Sequence, residues 1–240
     1  MNFPKSNKYD KSFVMENMMG PNCMKMLEEL TTDVKLEKGM RVMDLGCGTG
    51  LTSVFLAKEF GVQVFATDLW ITATDNYKRF KELNLENQIT PIHADALEMP
   101  YAEEYFDAIV SVDSYHYFGN DESFMDSKLA PLVKKGGLIA IAVPGLKQEL
   151  TGELPKEMAL SWTKEDIQTM HSCDWWKELL AKSKTITVES ITEMKGFDEP
   201  WDDWINSTND FQKFIDLDKP AIEAGAGKYM NFVSIIARKK

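Results

Sequence analysis

Strand-length apolar runs alternate with helical patterns through the first 145 residues of this 240-residue chain. The predicted strands are RVMDL (41–45), VQVFAT (62–67), ITPIHA (89–94), FDAIVSV (106–112) and LIAIAV (138–143). Between them lie patterns with the length and spacing of amphipathic crossover helices, at 51–60, 71–83 and 121–133. This alternation predicts an α/β fold, a mostly parallel sheet with helices on both faces.

The chain has the length of one such domain with a substantial core. Residues 1–39 are a methionine-rich helical lead-in, which we interpret as a lid, and 40–145 hold the alternation and a predicted cofactor-binding core. Residues 146–240 add a substrate-side insertion, with a helical stretch at 163–182, and two late strands that extend one edge of the sheet. We therefore expect a single domain, 1–240, in three parts.

Charge and composition argue against several classes of partner. The formal net charge of -11 and the pI near 4.8 predict no nucleic-acid binding and no stable membrane association. No apolar run approaches the roughly 20 residues of a membrane span, and the first residues have no apolar signal core. Cys23, Cys47 and Cys173 are widely spaced without a CxxC pair, which indicates reduced thiols and no metal site. We expect a cytoplasmic protein, with the oligomeric state left open.

The segment VMDLGCGTGL lies where a predicted strand meets a predicted helix. Gly46 permits a tight turn, and Gly48 lets the backbone approach a ligand at the start of the helix. A dinucleotide fingerprint would place its third glycine at the sixth position, here Leu51, whereas the third glycine of this turn is Gly50. The mismatch disfavours NAD and FAD.

Two acidic residues narrow the choice of cofactor further. Asp68 ends the second predicted strand, where a carboxylate can accept hydrogen bonds from both hydroxyls of an adenosine ribose. Asp44, inside the turn, is a poor neighbour for pyrophosphate but a good one for the cationic end of an amino acid. The residues indicate adenosine joined to a positively charged group.

At this point the sequence resembles the class I S-adenosylmethionine-dependent methyltransferases, over about residues 35–145 and the last strand. The matching segments are VMDLGCGTG, FATD, HADALEMP, FDAIVSVDSYHYF and LVKKGGLIAIAVP, in the order of that family's motifs. The resemblance implies a Rossmann-like, seven-stranded sheet whose last strand is antiparallel, and S-adenosyl-L-methionine as the cofactor.

The resemblance also implies where the cofactor is held. It implies contacts at Asp44, Gly46, Gly48, Asp68, Asp95 and Ala96. The neighbouring residues taken with them as candidate cofactor contacts are Cys47, Gly50, Leu69 and Asp113.

The segment SYHYF is similar to one in the small-molecule branch of the family, which includes quinone-biosynthesis C-methyltransferases and phosphoethanolamine-type N-methyltransferases. His116 follows the fourth strand, where ligands of open α/β sheets bind, so it either binds the acceptor or removes its proton, or it packs beneath the loop. Tyr115 and Tyr117 are candidate binders or orienters beside it, and Asp113 is a further candidate.

The acceptor itself is left open by the sequence. Segment 185–220 carries nine acids against three lysines, so Trp201, Trp204 and nearby acids form either an amine pocket or a solvated surface with core aromatics. We favour methyl transfer to a polar or amine-containing small molecule. The alternatives are C-methylation of a quinone-like apolar ring and a cofactor-binding regulator without turnover.

Overall fold

The computed structural model describes residues 2–240, and within them seven strands form one sheet in the order β3-β2-β1-β4-β5-β7-β6. The strands are β1 (Arg41–Leu45), β2 (Gln63–Asp68), β3 (Ile89–His93), β4 (Phe106–Val112), β5 (Val133–Leu146), β6 (Ile186–Glu193) and β7 (Met230–Lys239). Strands β1 to β5 pair in parallel, and β7 is antiparallel to both β5 and β6. The predicted seven-stranded sheet with an antiparallel last strand is confirmed.

Helices cover both faces of this sheet and form the lead-in. The α-helices are α1 (Lys11–Asn17), α2 (Cys23–Leu30), α3 (Leu51–Phe60), α4 (Ala73–Glu82), α5 (Lys164–Ile167), α6 (Cys173–Leu180), α7 (Asp198–Ile205) and α8 (Gln212–Glu223). Across residues 2–240 we find no helix with both the length and the apolar character needed to traverse a bilayer.

The central strands separate two apolar cores. Val42 and Val110 point into one core, whereas Met43 and Ile109, their neighbours in sequence, point into the other. All four side chains are fully buried. A parallel sheet with helices on both faces requires this burial, because neither face can be left in water.

Two predicted helices are wrong in detail. The segment 121–133 forms a short π-helical turn (Met125–Leu129) and a 3-10 turn (Ala130–Leu132) instead of an α-helix. Pro131 explains this, because proline has no N–H to donate and its ring clashes with the preceding turn. The stretch 163–182 divides into α5 and α6, because His171 forms a bridge to Gly145 at the sheet before Ser172 caps α6.

The lead-in is tied to the insertion by ion pairs of the buried Lys25 with two partly exposed acids. The Lys25 Nζ on α2 lies 2.6 Å from a carboxylate oxygen of Glu199 and 2.6 Å from one of Asp203. Asp203 also accepts a hydrogen bond of 2.7 Å from the Asn22 side chain. These contacts hold α2 against α7, so the lead-in and the insertion meet beside the carboxyl ends of the strands.

The strand order reverses between β1 and β4, since the chain runs outward from β1 to β3 and then crosses to β4. In open α/β sheets such a reversal leaves a crevice outside the carboxyl ends of the strands, where ligands bind. The glycine turn that follows β1 lies at this crevice.

Candidate active site

A cavity with about 1040 Å³ of empty space, part of it open to solvent, lies over the carboxyl ends of β1, β2 and β4. The strands' loops contribute Leu45, Gly46, Cys47, Gly48, Thr49, Thr67, Asp68, Leu69, Trp70, Ala94, Asp95, Ala96, Val112, Asp113, Ser114, Tyr117 and Phe118. The lead-in and the start of α3 supply Asn17, Met19, Gly20, Pro21, Cys23, Leu51 and Thr52.

The glycine turn is bound to the end of β2. The Gly46 and Cys47 amides donate to the Thr67 carbonyl at 2.8 and 3.2 Å. Gly46 has a φ of +74°, and a Cβ there would lie 1.8 Å from the Ser114 Oγ. Only glycine therefore fits at this position, because the backbone is left-handed and the loop after β4 passes directly over it.

Asp68 joins the glycine turn to the loop after β2. Its Oδ2 accepts a 2.8 Å hydrogen bond from the Gly48 amide, and its Oδ1 accepts bonds of 2.7 and 2.8 Å from the Trp70 and Ile71 amides. A carboxylate oxygen has more than one lone pair, so a ligand hydroxyl can be added to this set. Asp68 lines the cavity, as a ribose-binding carboxylate must.

Asp44 lies beneath the turn and is fully buried. The Thr52 and Ser53 hydroxyls each donate to its Oδ2 at 2.6 Å, whereas its Oδ1 has no hydrogen-bond partner within the described chain. Burial raises the pKa of this carboxyl to about 6, although the two hydroxyl bonds lower it. An unpaired buried carboxylate oxygen is costly unless a donor reaches it, and an ammonium group would supply one.

The lead-in crosses the cavity as a strap, residues 17–20. The Thr49 hydroxyl donates to the Asn17 carbonyl, and the Asn209 side-chain amide donates to the Met15 and Met18 carbonyls at 2.8 and 3.0 Å. The strap is thus held from one side by the glycine turn and from the other by the insertion. Asn17, Met19 and Gly20 of the strap line the cavity, and Met19 is the methionine among the lining residues.

Asp113 is the first residue after β4 and lines the cavity. It has a left-handed φ of +56°, which Asp and Asn tolerate better than most residues. Gly20 of the strap makes room for it, since a Cβ at Gly20 would lie 2.4 Å from the Asp113 Oδ2. Burial, and then the nearby Asp218 carboxyl, raise the pKa of Asp113 to about 8. Within residues 2–240, no Lys or Arg lowers this pKa, so the carboxyl group is mostly protonated at pH 7.

The three aromatic residues after Asp113 and Ser114 point in different directions. Tyr115 and His116 are buried (0% and 1% exposed) and do not line the cavity, whereas Tyr117 lines it and is 57% exposed. Burial lowers the pKa of His116 to about 3, so its imidazole is neutral at physiological pH. The direct contact of His116 and Tyr115 with an acceptor is thus not supported by the geometry, and the packed alternative for His116 is the one observed.

The interpretation that Trp201 and Trp204 line an acceptor pocket is wrong. Both side chains are buried in the core, at 3% and 0% exposure, and neither lines the cavity. The Trp204 and Trp162 indoles instead donate to the Asp218 carboxylate at 2.9 and 3.0 Å. They therefore position this carboxylate, which in turn contributes to the raised pKa of Asp113.

Some of the other predicted cofactor contacts line the cavity and one does not. Cys47, Leu69, Asp95 and Ala96 line the cavity together with the glycine turn and Asp68. Gly50 does not, because it caps α3 and faces α4, where a Cβ would lie 2.5 Å from the Phe80 ring. The third glycine therefore serves helix packing.

Trp70, Ser114 and the strap residue Gly20 line the cavity but were not predicted from the sequence. Trp70 could have been found, because it lies two residues after the ribose-binding candidate Asp68. The strap residues lie more than 20 positions before the glycine turn, and only the methionine-rich composition of the lead-in indicated them.

The cavity fits an adenosine-containing cofactor with a cationic amino acid end. The glycine turn exposes backbone that a side chain would block, and Asp68 lines the cavity at the end of β2. Asp44 is fully buried beneath the turn and does not itself line the cavity, although its Oδ1 has no hydrogen-bond partner within the described chain. Asp95 and Ala96 lie in the same cavity.

Comparison with known proteins agrees with this geometry. Residues 42–137 match the family described as "Methyltransferase domain". The chain is 29% identical over 119 residues to the methyltransferase GfsG of Streptomyces halstedii, a match covering 49% of this chain and 42% of that protein. The chain thus spans less than half the length of this curated relative.

Two solved structures share the fold. Geranyl diphosphate C-methyltransferase from Streptomyces coelicolor A3(2) superposes with a TM-score of 0.65 at 19% identity, covering 85% of this chain and 73% of that one. Phosphoethanolamine N-methyltransferase 2 from Haemonchus contortus, in complex with S-adenosyl-L-methionine, gives a TM-score of 0.70 at 20% identity, covering 98% and 57%. One of these relatives is named for methylation at carbon and the other for methylation at nitrogen.

Proposed function

We propose, from the premise that this chain belongs to the class I S-adenosylmethionine-dependent methyltransferases, that it transfers the methyl group to an amine nitrogen of a small molecule. The observation that carries the choice of acceptor is Asp113. Its carboxyl group lies in the same cavity as the glycine turn, and no cation of the described chain pairs with it. A cationic acceptor would supply a partner for this carboxyl group and would favour its ionised form over the protonated form that burial favours.

The cofactor, when bound, supplies an activated methyl group on a sulfonium and a good leaving group. The protein's own task is then to align the acceptor and exclude water, which can be worth roughly 7–11 kcal/mol in favourable systems. The residues that would hold the cofactor are Asp44, Asp68, the glycine turn and the loop at Asp95. The strap shields the cavity above Gly48, where the Met19 thioether lies close to the backbone.

Asp113 acts on the acceptor in this proposal, although its position made it a candidate cofactor contact. An amine arrives as an ammonium ion and must lose a proton before its lone pair can attack. With a pKa of about 8 the Asp113 carboxyl is mostly protonated at pH 7, and an ammonium group beside it favours the ionised form. That ionised form is the one that can accept the proton, and a pKa close to the working pH suits a general base. Asp113 therefore first pairs with the ammonium group and then holds its proton on a carboxylate oxygen.

C-methylation of a quinone-like ring is the second candidate function. Met19, Trp70 and Phe118 line the cavity and offer apolar and aromatic surface to a flat ring. Such a ring needs no carboxylate partner, so this acceptor leaves Asp113, which is mostly protonated at pH 7, without a role. The amine reading accounts for both features of the cavity.

The function is tested by following methyl label from S-adenosylmethionine into a small-molecule extract separated into polar-cationic and lipid fractions. We expect label in the cationic fraction. Label in the lipid fraction would support the quinone-like alternative. Binding of the cofactor with no labelled product from any fraction would favour the regulator without turnover.

Replacing Asp113 with asparagine tests the assigned role directly. The amide retains the shape and the tolerance for left-handed backbone, but it neither pairs with a cation nor takes its proton. We expect kcat/KM for the labelled amine to fall about 10²- to 10⁴-fold, as for loss of a general base. The Kd of S-adenosylhomocysteine, measured by calorimetry, should change little.

The matched control is Glu122→Gln, which removes an exposed carboxylate paired with Lys182 outside the cavity. It should leave kcat/KM unchanged. If Asp113→Asn weakens S-adenosylhomocysteine as much as it slows turnover, Asp113 contacts the cofactor and its assignment to the acceptor is wrong.

The same substitution should change how stability depends on pH. The pKa of Asp113 rises from its ordinary value of 3.8 to about 8 on folding, so above pH 4 its ionisation favours the unfolded chain. The resulting loss in the free energy of unfolding grows with pH until the pH passes the pKa of Asp113 in the folded protein. We therefore expect Asp113→Asn to raise the melting temperature near pH 9, with a difference from wild type that shrinks as the pH falls toward 4. A constant difference across that range would contradict the raised pKa.

A further inference from the structure

Two large aromatic side chains stand exposed at the mouth of the cavity. Trp70 is 68% exposed and Tyr117 is 57% exposed, and both line the cavity. Their ring centroids are 5.9 Å apart and the ring planes meet at 50°. The other tryptophans of the chain are buried or half-buried, so Trp70 is the most exposed of the six. Aromatic rings exposed beside a cavity have apolar surface that a ligand can cover.

The strand order places this pair across the glycine turn. Trp70 follows β2 and Tyr117 follows β4, and β1 lies between these two strands in the sheet. A contact between the two rings therefore passes over the carboxyl end of β1, where the glycine turn begins. The Asp68 Oδ1 holds the backbone of Trp70 in place, because it accepts a 2.7 Å hydrogen bond from the Trp70 amide.

We propose that Trp70 and Tyr117 form a roof over the cofactor, which opens to admit S-adenosylmethionine and closes on it. This inference rests on the proposed function, which places that cofactor beneath the pair. Closure removes apolar ring surface from water and keeps water from the cavity. The two residues retain and position the cofactor, whereas Asp113 handles the acceptor.

The intrinsic fluorescence of Trp70 reports on the roof without any turnover. Titration with S-adenosylhomocysteine should shift the tryptophan emission to shorter wavelength and reduce quenching by iodide, because the most exposed indole becomes covered. Trp70→Phe should lose this response and still bind. Trp175→Phe is the matched control, since Trp175 stacks on His171 outside the cavity and its loss should leave the response intact.

Removing either aromatic ring should weaken the binding of S-adenosylhomocysteine. We expect Trp70→Ala and Tyr117→Ala to raise the Kd of S-adenosylhomocysteine about 2- to 10-fold, the worth of an aromatic contact, mainly through faster dissociation. Trp70→Phe and Tyr117→Phe keep an aromatic ring, so their Kd should stay close to that of the wild type. This result would show that the rings, and not the indole N–H or the phenol hydroxyl, contact the cofactor.

The outcomes separate the two proposals. If S-adenosylhomocysteine binds by calorimetry and the Trp70 emission and quenching do not change, the roof is wrong and the cofactor site stands. A response that appears only after an acceptor is added would also overturn the roof. If the wild-type protein does not bind S-adenosylhomocysteine, the proposed function fails, and the roof fails with it.

Discussion

Asp68→Ala should abolish tight binding of S-adenosylhomocysteine, with a rise in Kd of about 100-fold or more. The carboxylate is expected to accept from the ribose, and hydrogen bonds to charged groups are worth about 1.5–3 kcal/mol each, so two of them exceed this factor. The substitution also frees the Gly48, Trp70 and Ile71 amides, which the carboxylate holds in place. Calorimetric titration measures the effect.

Loss of structure must be separated from loss of the ribose contact. Asp75→Ala is the control, because Asp75 is an exposed acid at the start of α4, close in sequence but outside the cavity. Thermal melting of both variants shows whether the fold persists. If folded Asp68→Ala binds within about threefold of wild type, a range of less than 1 kcal/mol, the assigned cofactor site is wrong.

The features that sequence reasoning predicts well are those with local causes. β1, β4 and α3 have the predicted bounds, because a buried parallel strand is a mostly apolar run and the glycine turn marks where the helix starts. Gly46, Gly48 and Asp68 meet in one cavity for the same reason, since adjacent parallel strands bring their carboxyl ends to one edge of the sheet.

The side chains beyond β4 depend on contacts that a local pattern does not contain. Residues Tyr115–Tyr117 form a 3-10 turn, and its rotation buries His116 while it leaves Tyr117 at the cavity. The sequence alone does not distinguish which of Tyr115, His116 and Tyr117 faces the cavity. Trp204 likewise looks like a pocket residue in an acidic segment, but its indole is directed to Asp218 by the packing of α7 against α8.

Gly46→Ala should destabilise the fold more than any other single methyl group added at this site. The left-handed backbone costs an L-residue roughly 1–2 kcal/mol, and overpacking adds about 1–3 kcal/mol. The added Cβ would lie 1.8 Å from the Ser114 Oγ and 2.3 Å from its Cβ, so the loop after β4 must move. We expect the free energy of unfolding in urea to fall by about 2–5 kcal/mol, the sum of these two terms.

Gly39→Ala separates the two causes. Gly39 has a φ of +84° but nothing within 4 Å of an added Cβ, so its substitution carries the backbone strain alone. At Gly46 the added Cβ also clashes with the Ser114 side chain, and Ser114→Gly removes this clash. The double variant should therefore lose less stability than the sum of the two single variants, with a favourable coupling of about 1–3 kcal/mol in a double-mutant cycle. If Gly46→Ala costs no more than Gly39→Ala, the close approach of the Ser114 loop to the glycine turn is refuted. If the coupling is found, the loop after β4 rests on the glycine turn, and a ligand held by that turn lies directly beside Asp113.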